Sequence, residues 1–345
     1  MTEIAIAILN WNGLDFLKKF LPSVINYSSS NGTKIYIIDN GSTDNSVEFI
    51  KSNFYNIYII ELFNNYGFAE GYNKGLSQIK ANYYLLLNSD VEVTENWLSP
   101  LYETLNNNNN IAACQPKILS YQEKNKFEYA GAAGGYIDKF GYPFCQGRIF
   151  NINETDKGQY NEKKSIFWAT GACMLIKANL FHIAGGFDLD FFAHMEEIDL
   201  CWRLKNMGYK IAYVPESKIF HLGGGTLPKS NPKKTYLNFR NNYYLLYKNL
   251  PILKFIKTYL IRIIFDFGSL VLFIKELKIK DALVIMKAHF VFWISIKSLC
   301  NKKNLFKTKI INRKHAEVYN KSIVLDFYLR KIRSFNKLPI YPDSL

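Results

Sequence analysis

Residues 85–93 read "LLLNSDVEV", three leucines followed at once by Asn88, Ser89 and Asp90. A continuous apolar run is typical of a strand that is buried on both faces of a parallel sheet. In open α/β sheets, ligands bind beyond the carboxyl ends of such strands. We therefore expect a buried parallel strand here, and its polar tip is a candidate ligand site.

The first 120 residues alternate short apolar runs with amphipathic stretches. The runs have the length and the Ile, Leu and Tyr content of strands, and the stretches between them have helical spacing. Strands are predicted at 3–9, 34–39, 56–62 and 83–88, and helices at 14–27, 44–53, 68–80 and 94–106. This β-α-β-α order predicts an α/β fold with a parallel sheet and helices on both faces.

Each of the four predicted strands ends in polar residues. The tips read "NWNG" (10–13), "DNGSTD" (39–44), "NNYGFAEGYN" (64–73) and "NSD" (88–90). Each tip alone has the composition of an ordinary turn, but four tips on one sheet edge favour a ligand site. Asp39 can accept hydrogen bonds from a base or ribose, Gly67 allows close approach of the backbone, and Asp90 suits Mg²⁺ or Mn²⁺. Together they indicate a nucleoside diphosphate with a metal on its phosphates.

A second concentration of polar residues lies at 185–226. Glu196, Glu197 and Asp199 cluster at a predicted helix N-terminus, where acids also stabilise the helix itself by about 0.3–1 kcal/mol each. The aromatic residues and histidine that precede them favour a functional site over this structural role. His221 follows a strand-like segment and precedes three glycines, and a neutral imidazole placed there can bind a divalent metal.

Three other patterns argue against a zinc or thiol redox site, a cofactor loop and a secretory signal. The five cysteines include no C-x-x-C pair, so neither a structural zinc nor a thiol redox motif is indicated. The glycines of "GAAGG" (131–135) neither follow a clear strand nor open a helix, which favours a turn or β-hairpin over a cofactor loop. The N-terminus lacks a basic stretch before its short apolar run, so we expect a cytosolic protein with reduced thiols.

The positive charge is confined to the C-terminal part of the chain. The net charge is +14, yet residues 1–235 carry 22 Lys and Arg against 23 Asp and Glu, whereas residues 236–345 carry 21 against 6. This split predicts a boundary at 228–234, with one domain at 1–235 and a basic extension at 236–345. It also predicts an acidic partner, either nucleic acid or an anionic membrane surface.

The basic extension has apolar helical faces. Residues 252–274 place apolar side chains on one face and the charges at 254, 257, 262 and 266 mostly on another. Four charges are too many for a typical spanning helix, so the segment fits a helix that lies in a membrane interface or packs on the rest of the chain. Residues 288–309 repeat the theme. Because the extension has no recognised nucleic-acid-binding motif, we expect an anionic membrane surface to be contacted through residues 252–314, and no nucleic acid.

Taken together, these motifs resemble glycosyltransferase family 2, the inverting GT-A-type transferases, and in particular its rhamnosyltransferase-like branch. They occur in the order of the family over about residues 3–250. The matching pieces are "NWNG", "DNGSTD", "NNYGFAEGYNKG", "LLLNSDV", "TGACMLIKANLFHIAGGFDLDFF", "EEIDLCWRLKNMGYKIAYVPES" and "HLGGGT". The resemblance implies a GT-A-like, Rossmann-like mixed sheet flanked by helices, with a helical C-terminal extension.

The resemblance also implies roles for individual residues. Asp90 and His221 would hold a divalent cation, Mg²⁺ or Mn²⁺, and the catalytic base falls in the pair Glu196–Glu197, with Glu197 expected to act. Asn88 stands where the family has an acidic residue, which suggests a ribose contact. The nucleotide-sugar site is implied at Asn10, Asp39, Asp44, Asn65, Gly67, Phe68, Asn73 and Asn88, and the acceptor side at Trp168, Gly171 and Asp199.

We therefore expect a metal-dependent, inverting glycosyltransferase with dTDP-rhamnose or a UDP-sugar as donor. Its acceptor would be a lipid-linked glycan in surface polysaccharide synthesis, and its location the cytoplasmic face of the plasma membrane. Two alternatives are a transferase that uses a UDP-hexose on another acceptor and a catalytically silent nucleotide-sugar-binding or scaffold protein. A nucleotidyltransferase would need a Gly-rich loop with Arg and Lys after the first strand, and "NWNGLDFLKK" (10–19) does not supply one.

Overall fold

The computed structural model describes residues 2–29, 32–223, 231–340 and 345. The last residues of the "HLGGGT" motif, 224–226, and the first residues of the predicted boundary, 228–230, lie outside the described residues. In chain order the strands are β1 (Thr2–Asn10), β2 (Thr33–Asp39), β3 (Ile57–Glu61), β4 (Ala81–Asn88), β5 (Val91–Val93), β6 (Ile111–Ser120), β7 (Gly135–Asp138), β8 (Pro143–Cys145), β9 (Arg148–Ile149), β10 (Ile152–Asn153), β11 (Lys164–Ile166), β12 (Cys173–Lys177), β13 (Lys210–His221) and β14 (Val318–Tyr319).

Helices lie on both faces of the central sheet and form most of the C-terminal region. They are α1 (Leu14–Tyr27), α2 (Ser46–Asn53), α3 (Gly67–Leu76), α4 (Leu98–Asn106), α5 (Ala178–Ile183), α6 (Glu196–Asn206), α7 (Pro232–Asn249), α8 (Ile252–Lys275), α9 (Ile279–Lys307) and α10 (Ile323–Tyr328). The predicted order of strands and helices in the first 120 residues is confirmed, with ends that differ by a few residues.

The central sheet has the order β11-β13-β6-β12-β4-β1-β2-β3, and β5 pairs with β13. Strands β4, β1, β2 and β3 are parallel, whereas β12 is antiparallel to both β4 and β6. The sheet is therefore mixed, as expected. Its parallel half carries the four polar tips at one edge.

The three leucines at 85–87 explain why β4 lies inside the central sheet. Leu86 belongs to the apolar cluster on one face of the sheet, and Leu85 and Leu87 belong to the cluster on the other face. All three are fully buried. Because side chains alternate along a strand, a strand covered on both faces has to be apolar throughout.

A second, five-stranded sheet has the order β10-β9-β8-β7-β14. The glycines of "GAAGG" form a turn that leads into β7. In this turn the N–H of Gly134 donates to the carbonyl oxygen of Gly131 at 2.8 Å. The expected turn is therefore present. Strand β14, from the predicted extension, pairs with β7 in this sheet. The boundary at 235/236 stays a prediction.

The C-terminal region is helical, as expected. Helices α8 and α9 form a hairpin joined by residues 276–278, and α9 packs along α7. By length and composition, α9 is the one helix of the described residues that is apolar enough to cross a membrane. All five cysteines lie among the described residues and are free thiols.

Candidate active site

The carboxyl ends of β1, β2 and β4 meet at one edge of the central sheet. Asn10 lies in register with Asp39, and Leu9 lies in register with Asn88. Nδ2 of Asn10 donates to Oδ1 of Asp39 at 3.0 Å and to Oγ of Ser46 at 2.9 Å. Because Asn10 and Asp39 are both buried, they join two strand tips at the base of the predicted nucleotide pocket.

The β2 tip is folded by its own carboxylates. Oδ2 of Asp39 accepts from the backbone N–H of Ser42 at 2.9 Å. Oδ2 of Asp44 accepts from the N–H of Leu14, the first residue of α1, at 3.1 Å. Burial alone would raise the pKa of Asp44, but hydrogen bonds from Ser46 and Leu14 lower it below its ordinary value. Asp44 thus holds the start of a helix, and its contact with a nucleotide stays a prediction.

The β3 tip is organised by Asn40, which the sequence did not single out. Oδ1 of Asn65 accepts from Nδ2 of Asn40 at 3.1 Å and from the N–H of Gly67 at 2.9 Å. Gly67 has φ of +75°, and a Cβ there would lie 2.8 Å from the ring of Phe192. The N–H of Phe68 also donates to the carbonyl oxygen of Phe192 at 3.1 Å. A glycine is required at 67 both for the left-handed backbone and for this close approach.

Asn73 is engaged by the protein backbone. Its Nδ2 donates to the carbonyl oxygen of Phe187 at 2.8 Å, and its Oδ1 accepts from the N–H of Phe187 at 3.0 Å. The side chain therefore joins α3 to the turn before residue 188. Its predicted place beneath a nucleotide sugar stays a prediction.

His221 ends β13 and lies between two carboxylates. Its Nε2 is 3.1 Å from Oδ1 of Asp90, and its Nδ1 is 3.2 Å from Oε2 of Glu128. Nδ2 of Asn88 lies 3.4 Å from the same Nε2. The antiparallel pairing of β13 with β5 sets His221 opposite Val91, which brings it beside Asp90. The structure thus joins both predicted metal ligands and adds a third residue, Glu128.

The charges of this cluster are those of two carboxylates and a protonated imidazole. Burial alone would lower the pKa of His221, but the carboxylates of Asp90 and Glu128 outweigh it and raise the pKa to about 10. In the part of the chain that the structure describes, no group of three or more His, Cys, Asp or Glu side chains is arranged to hold a metal ion. One carboxylate and one imidazole are instead a donor set that substrate phosphate oxygens complete. A metal beside Asp90 would replace the proton on Nε2 of His221, while Nδ1 would stay turned to Glu128.

Glu196 and Glu197 open α6. In each side chain Oε2 is buried and has no hydrogen-bond partner among the described residues. Burial raises the pKa of Glu197 to about 7, and burial, followed by the charge of Glu197, raises the pKa of Glu196 well above its ordinary value. Glu196 is buried whereas Glu197 is partly exposed, so Glu197 is the more accessible proton acceptor. Its pKa suits a general base that operates near neutral pH.

The turn before α6 is strained and is held by α7. Phe192, His194 and Met195 have φ of 62°, 69° and 71°, a conformation that is rare in residues other than glycine. Nδ2 of Asn241 lies 2.8 Å from the carbonyl oxygen of Ala193 and 2.7 Å from that of His194. Strain of this kind persists only where the surroundings enforce it. Asn241 therefore helps to set the position of the acidic pair.

Trp168 and Gly171, two of the residues expected on the acceptor side, are packing residues in the structure. Trp168 is buried, and its Nε1 donates to the carbonyl oxygen of Tyr136 at 2.9 Å. A Cβ on Gly171 would lie 2.8 Å from the ring of Phe68, so the glycine makes room for this ring. A contact with an acceptor stays a prediction for both.

Asp199, the third of these residues, lies in a buried ion-pair network. Its Oδ2 is 2.8 Å from Nε of Arg203 and 2.8 Å from Nζ of Lys248. Its Oδ1 accepts from Nδ2 of Asn249 at 3.0 Å. These contacts join α6 to α7, so the observed role of Asp199 is to fix the helix that carries the acidic pair.

An open groove of about 750 Å³ is lined by sequence neighbours of both polar clusters. It is lined by Tyr129 and by Met195, which are the sequence neighbours of Glu128 and of the acidic pair. Its lining is also cationic. The guanidinium of Arg148 lies 4.2 Å from the centre of the Tyr129 ring, and Nζ of Lys234 lies 5.6 Å from it.

The family model for glycosyl transferase family 2 matches residues 5–183, which is more than half of the chain. The chain belongs to glycosyl transferase family 2. The match begins in β1, ends in α5, and includes all four strand tips and Asp90. The resemblance read from the motifs is therefore confirmed, and the protein is a glycosyltransferase.

Curated relatives of this family 2 chain transfer hexosyl and rhamnosyl groups. It is 23% identical over 250 residues to the low-salt glycan biosynthesis hexosyltransferase Agl10 of Haloferax volcanii, covering 70% of this chain and 75% of that protein. It is 22% identical over 223 residues to the N-acetylglucosaminyl-diphospho-decaprenol L-rhamnosyltransferase of Mycobacterium tuberculosis, covering 59% and 71%. The rhamnosyltransferase WbbL of Escherichia coli K12 is 25% identical over 163 residues, covering 45% and 61%. These relatives support the rhamnosyltransferase-like branch.

Solved structures show that the family 2 chain has the expected GT-A-type fold. GalNAc-T7 in complex with UDP, GalNAc and Mn²⁺ is similar with a TM-score of 0.56 at 17% identity, over 71% of this chain and 48% of that chain. The mannosyltransferase PcManGT of Pyrobaculum calidifontis, in complex with GDP-Man and Mn²⁺, has a TM-score of 0.52 at 10% identity, over 89% and 85%. Both neighbours were solved with Mn²⁺.

Three residues of this family 2 site were missed by the sequence reasoning. Asn40 stands next to Asp39 in a quoted tip, so its position was available as a signal. Glu128 lies in the irregular segment between β6 and β7, and Asn241 lies inside a helix, where neither spacing nor composition marks it. Both are found only once the fold brings distant segments together.

Proposed function

We propose that this transferase moves a sugar from a nucleoside diphosphate donor to a hydroxyl group by a single, inverting displacement that depends on a divalent cation. One observation carries the proposal. Tyr129 and Met195 line the same groove; in the chain Tyr129 follows Glu128 of the His221 cluster, and Met195 precedes Glu196. In-line displacement needs a metal-bound diphosphate and a proton acceptor close to the same reacting carbon.

The acid–base step is assigned to Glu197. Its carboxylate takes the proton of the acceptor hydroxyl as that oxygen forms a bond to the anomeric carbon. The bond from the anomeric carbon to the diphosphate oxygen breaks, and its electron pair leaves with the nucleoside diphosphate. Attack from the side opposite the leaving group inverts the anomeric configuration. A pKa of about 7 keeps a useful fraction of Glu197 ionised at neutral pH.

The donor side is assigned to the strand tips. Asp90 and Nε2 of His221 would hold Mg²⁺ or Mn²⁺, which neutralises negative charge on the departing diphosphate. Asn88, 3.4 Å from the same Nε2, would contact the ribose. The base and sugar would lie over the tips that Asn10, Asp39, Asp44, Asn65, Gly67, Phe68 and Asn73 form. The proposed donor is dTDP-rhamnose or a UDP-sugar, because the relatives include rhamnosyltransferases.

The acceptor side is assigned to the groove. The cationic lining by Arg148 and Lys234 supports an acceptor that carries phosphate as well as sugar. The name of the mycobacterial relative gives a diphospho-lipid acceptor. We therefore propose a lipid-linked glycan as acceptor, in the synthesis of a surface polysaccharide. The enzyme would work at the inner face of the plasma membrane, reached through residues 252–314.

The proposal is tested by screening UDP-, GDP-, dTDP- and CMP-sugars with Mn²⁺ for thermal stabilisation and for donor hydrolysis. Wild type is compared with Asp90→Ala and Glu197→Gln. We expect one donor to stabilise the wild type only with metal, and this stabilisation to disappear in Asp90→Ala. Glu197→Gln should keep donor binding and lose turnover.

Two outcomes contradict the proposal. If no sugar nucleotide stabilises the folded protein, the fold remains and the catalytically silent scaffold takes the place of the transferase. If stabilisation is equal with and without metal and is kept in Asp90→Ala, the cation and its assigned ligands are wrong. Product analysis by NMR then gives the anomeric configuration and tests inversion directly.

A further inference from the structure

Helix α8 buries an arginine and an aspartate and leaves many of its apolar side chains exposed. Arg262 and Asp266 are 2% and 1% exposed, whereas Ile264 and Phe267 are 68% and 66% exposed. The inward face is satisfied by the rest of the protein: Nη1 of Arg262 donates to the carbonyl oxygen of Phe140 at 3.2 Å. A water-exposed helix shows the opposite arrangement, with its apolar stripe toward the core. The outer face of α8 is therefore not suited to water.

The outer face of α9 is apolar as well. Its exposed apolar residues recur at helical spacing, three or four positions apart. They are Ile279, Leu283, Met286, Phe290, Trp293 and Ile294. Exposed apolar patches of this extent mark interaction surfaces in soluble proteins.

The two exposed stripes lie on one side of the α8–α9 hairpin. The seam between the helices is marked by Tyr259, whose hydroxyl is 2.8 Å from Nδ1 of His289 and 2.9 Å from Nε1 of Trp293. Successive residues of a helix are rotated by about 100° around its axis. On each helix, the centre of the exposed stripe lies about a quarter turn from the seam. Viewed along the chain direction of each helix, this quarter turn has the same sense. Because the helices are antiparallel, that sense places both stripes on the same side. Together they form one apolar face.

Lysines flank this face. On α8 they are Lys254, Lys257 and Lys275, and near the start of α9 they are Lys278 and Lys280. All five are exposed. Long lysine side chains at the margin of an apolar face can extend to anionic headgroups while the apolar side chains enter the acyl boundary.

We propose that the apolar face of the α8–α9 hairpin docks into the headgroup region of an anionic lipid bilayer. This inference deepens the proposed function, on which it rests for the membrane-borne acceptor. The bilayer is favoured over a second copy of the chain because the lysines surround the face on each helix, and a two-fold contact would set these like charges against each other. Against anionic lipid, the same charges are favourable.

The hairpin lies along the surface and does not cross the bilayer. Over its length α9 is fixed to α7, near its start by Asp281 with Thr235, whose oxygens are 2.5 Å apart. Near its end, Nζ of Lys303 donates to the carbonyl oxygen of Leu250 at 2.5 Å. A helix held this way against the folded domain cannot extend through a membrane without leaving it. The geometry is that of a helix in the interface plane.

The test is co-sedimentation of the full chain with phosphatidylcholine vesicles, with and without phosphatidylglycerol. Wild type is compared with the double variant Ile264→Glu/Phe290→Glu and with the control Tyr55→Glu, which changes an exposed aromatic residue outside the hairpin. All three substitutions are at exposed positions, so the fold should be kept, and circular dichroism checks this. We expect wild type and control to bind phosphatidylglycerol vesicles and the double variant to bind at least about tenfold less.

The outcomes separate this inference from the proposed function. Donor hydrolysis in solution should be equal in all three proteins. If the wild type hydrolyses a donor but does not bind vesicles, the docking face is wrong and the proposed transferase activity still stands. Sedimentation equilibrium that shows a dimer, lost in the double variant, also overturns it by assigning the face to a second copy. Equal binding to vesicles without phosphatidylglycerol overturns the anionic requirement. Vesicle binding without hydrolysis of any donor counts against the proposed function alone.

Discussion

Nδ1 of His221 lies 3.2 Å from Oε2 of Glu128, on the opposite edge of the ring from Oδ1 of Asp90, which is 3.1 Å from Nε2. In this line of carboxylate, imidazole and carboxylate, Nε2 faces Asp90 and Nδ1 faces Glu128. The partner behind a metal-binding histidine also raises its basicity as a ligand. We therefore expect Glu128 to affect metal binding through His221.

Glu128→Gln should weaken Mn²⁺ binding about tenfold to a hundredfold, the usual cost of losing such an outer partner. The free Mn²⁺ signal in electron paramagnetic resonance, titrated in the presence of UDP, measures the dissociation constant without turnover. Glu123→Gln is the matched control, since Glu123 is exposed and pairs with Lys126. An unchanged Mn²⁺ affinity in Glu128→Gln would show that Glu128 does not support His221 as a metal ligand.

The assignment of Glu197 as the base predicts that kcat depends on pH. Its pKa is about 7, and the base must be ionised, so kcat should rise with pH through about 7 and level off above it. Glu197→Gln should lower kcat about 10²- to 10⁴-fold and abolish this rise. In Glu196→Gln the rise should remain at about the same pH, because burial, and not Glu196, raises the pKa of Glu197. Steady-state rates over pH measure both; a profile unchanged by Glu197→Gln would assign the base elsewhere.

Replacing the same carboxylate is predicted to stabilise the folded protein above neutral pH. The folded state holds its proton up to about pH 7, whereas the unfolded chain releases it near its ordinary pKa of 4.5. The folded state therefore binds more protons, and its free energy of unfolding falls as pH rises between these values. Glu197→Gln removes this penalty, so its melting temperature should exceed that of wild type at pH 8 and match it at pH 4. Equal melting temperatures at pH 8 would show that Glu197 is ionised at no cost.

Part of the fold and site could be read from the sequence because it depends on local pattern. The leucines at 85–87 marked a strand buried on both faces, and polar residues after four strands marked one sheet edge. Parallel pairing then brought Asn10 beside Asp39 in register. These features need only the side-chain period and the rule that parallel strands share a carboxyl edge.

The rest depends on contacts between segments that the sequence does not pair. Glu128 reaches His221 across 93 positions, from a segment without strand or helix periodicity. The helical period of α8 predicted separate apolar and charged faces. It did not predict which of these faces packs against the rest of the protein. Arg262 and Asp266 turn inward because the domain supplies their partners, including each other at 3.5 Å. That choice is made by tertiary packing, not by helical spacing.

Asn241→Ala should impair catalysis more than donor binding. The side chain bonds the carbonyl oxygens of the turn before α6, and losing it leaves buried carbonyl groups unsatisfied at about 1–3 kcal/mol. The strained turn would relax and move the acidic pair, and a shift of about 1 Å can cost about a hundredfold in rate. We expect a lower kcat, an unchanged donor KM and a lower melting temperature. Asn53→Ala, at an exposed position that bonds only its own helix, is the control.

A structural role for Asn241 without an effect on the base would give a different result. The melting temperature would fall while kcat, measured well below it, stayed at the wild-type value. Asn241→Asp sharpens the comparison, because it keeps the shape of the side chain but replaces the donating amide with an acceptor. It should lower kcat at least as much as alanine does. Recovery of kcat in Asn241→Asp would contradict the assigned hydrogen bonds.

Lys234→Ala should affect only acceptors that carry phosphate. Its Nζ lies beside the Tyr129 ring in the groove, where it would attract a phosphate on the acceptor while the sugar hydroxyl faces the acidic pair. A partly exposed charge contact is worth up to about 1 kcal/mol, so the KM of a lipid-diphosphate glycan should rise about threefold to fivefold. The KM of the same glycan without phosphate should not change. Lys139→Ala, outside the groove lining, is the control, and an equal rise for both acceptors would assign Lys234 to the glycan and not to the phosphate.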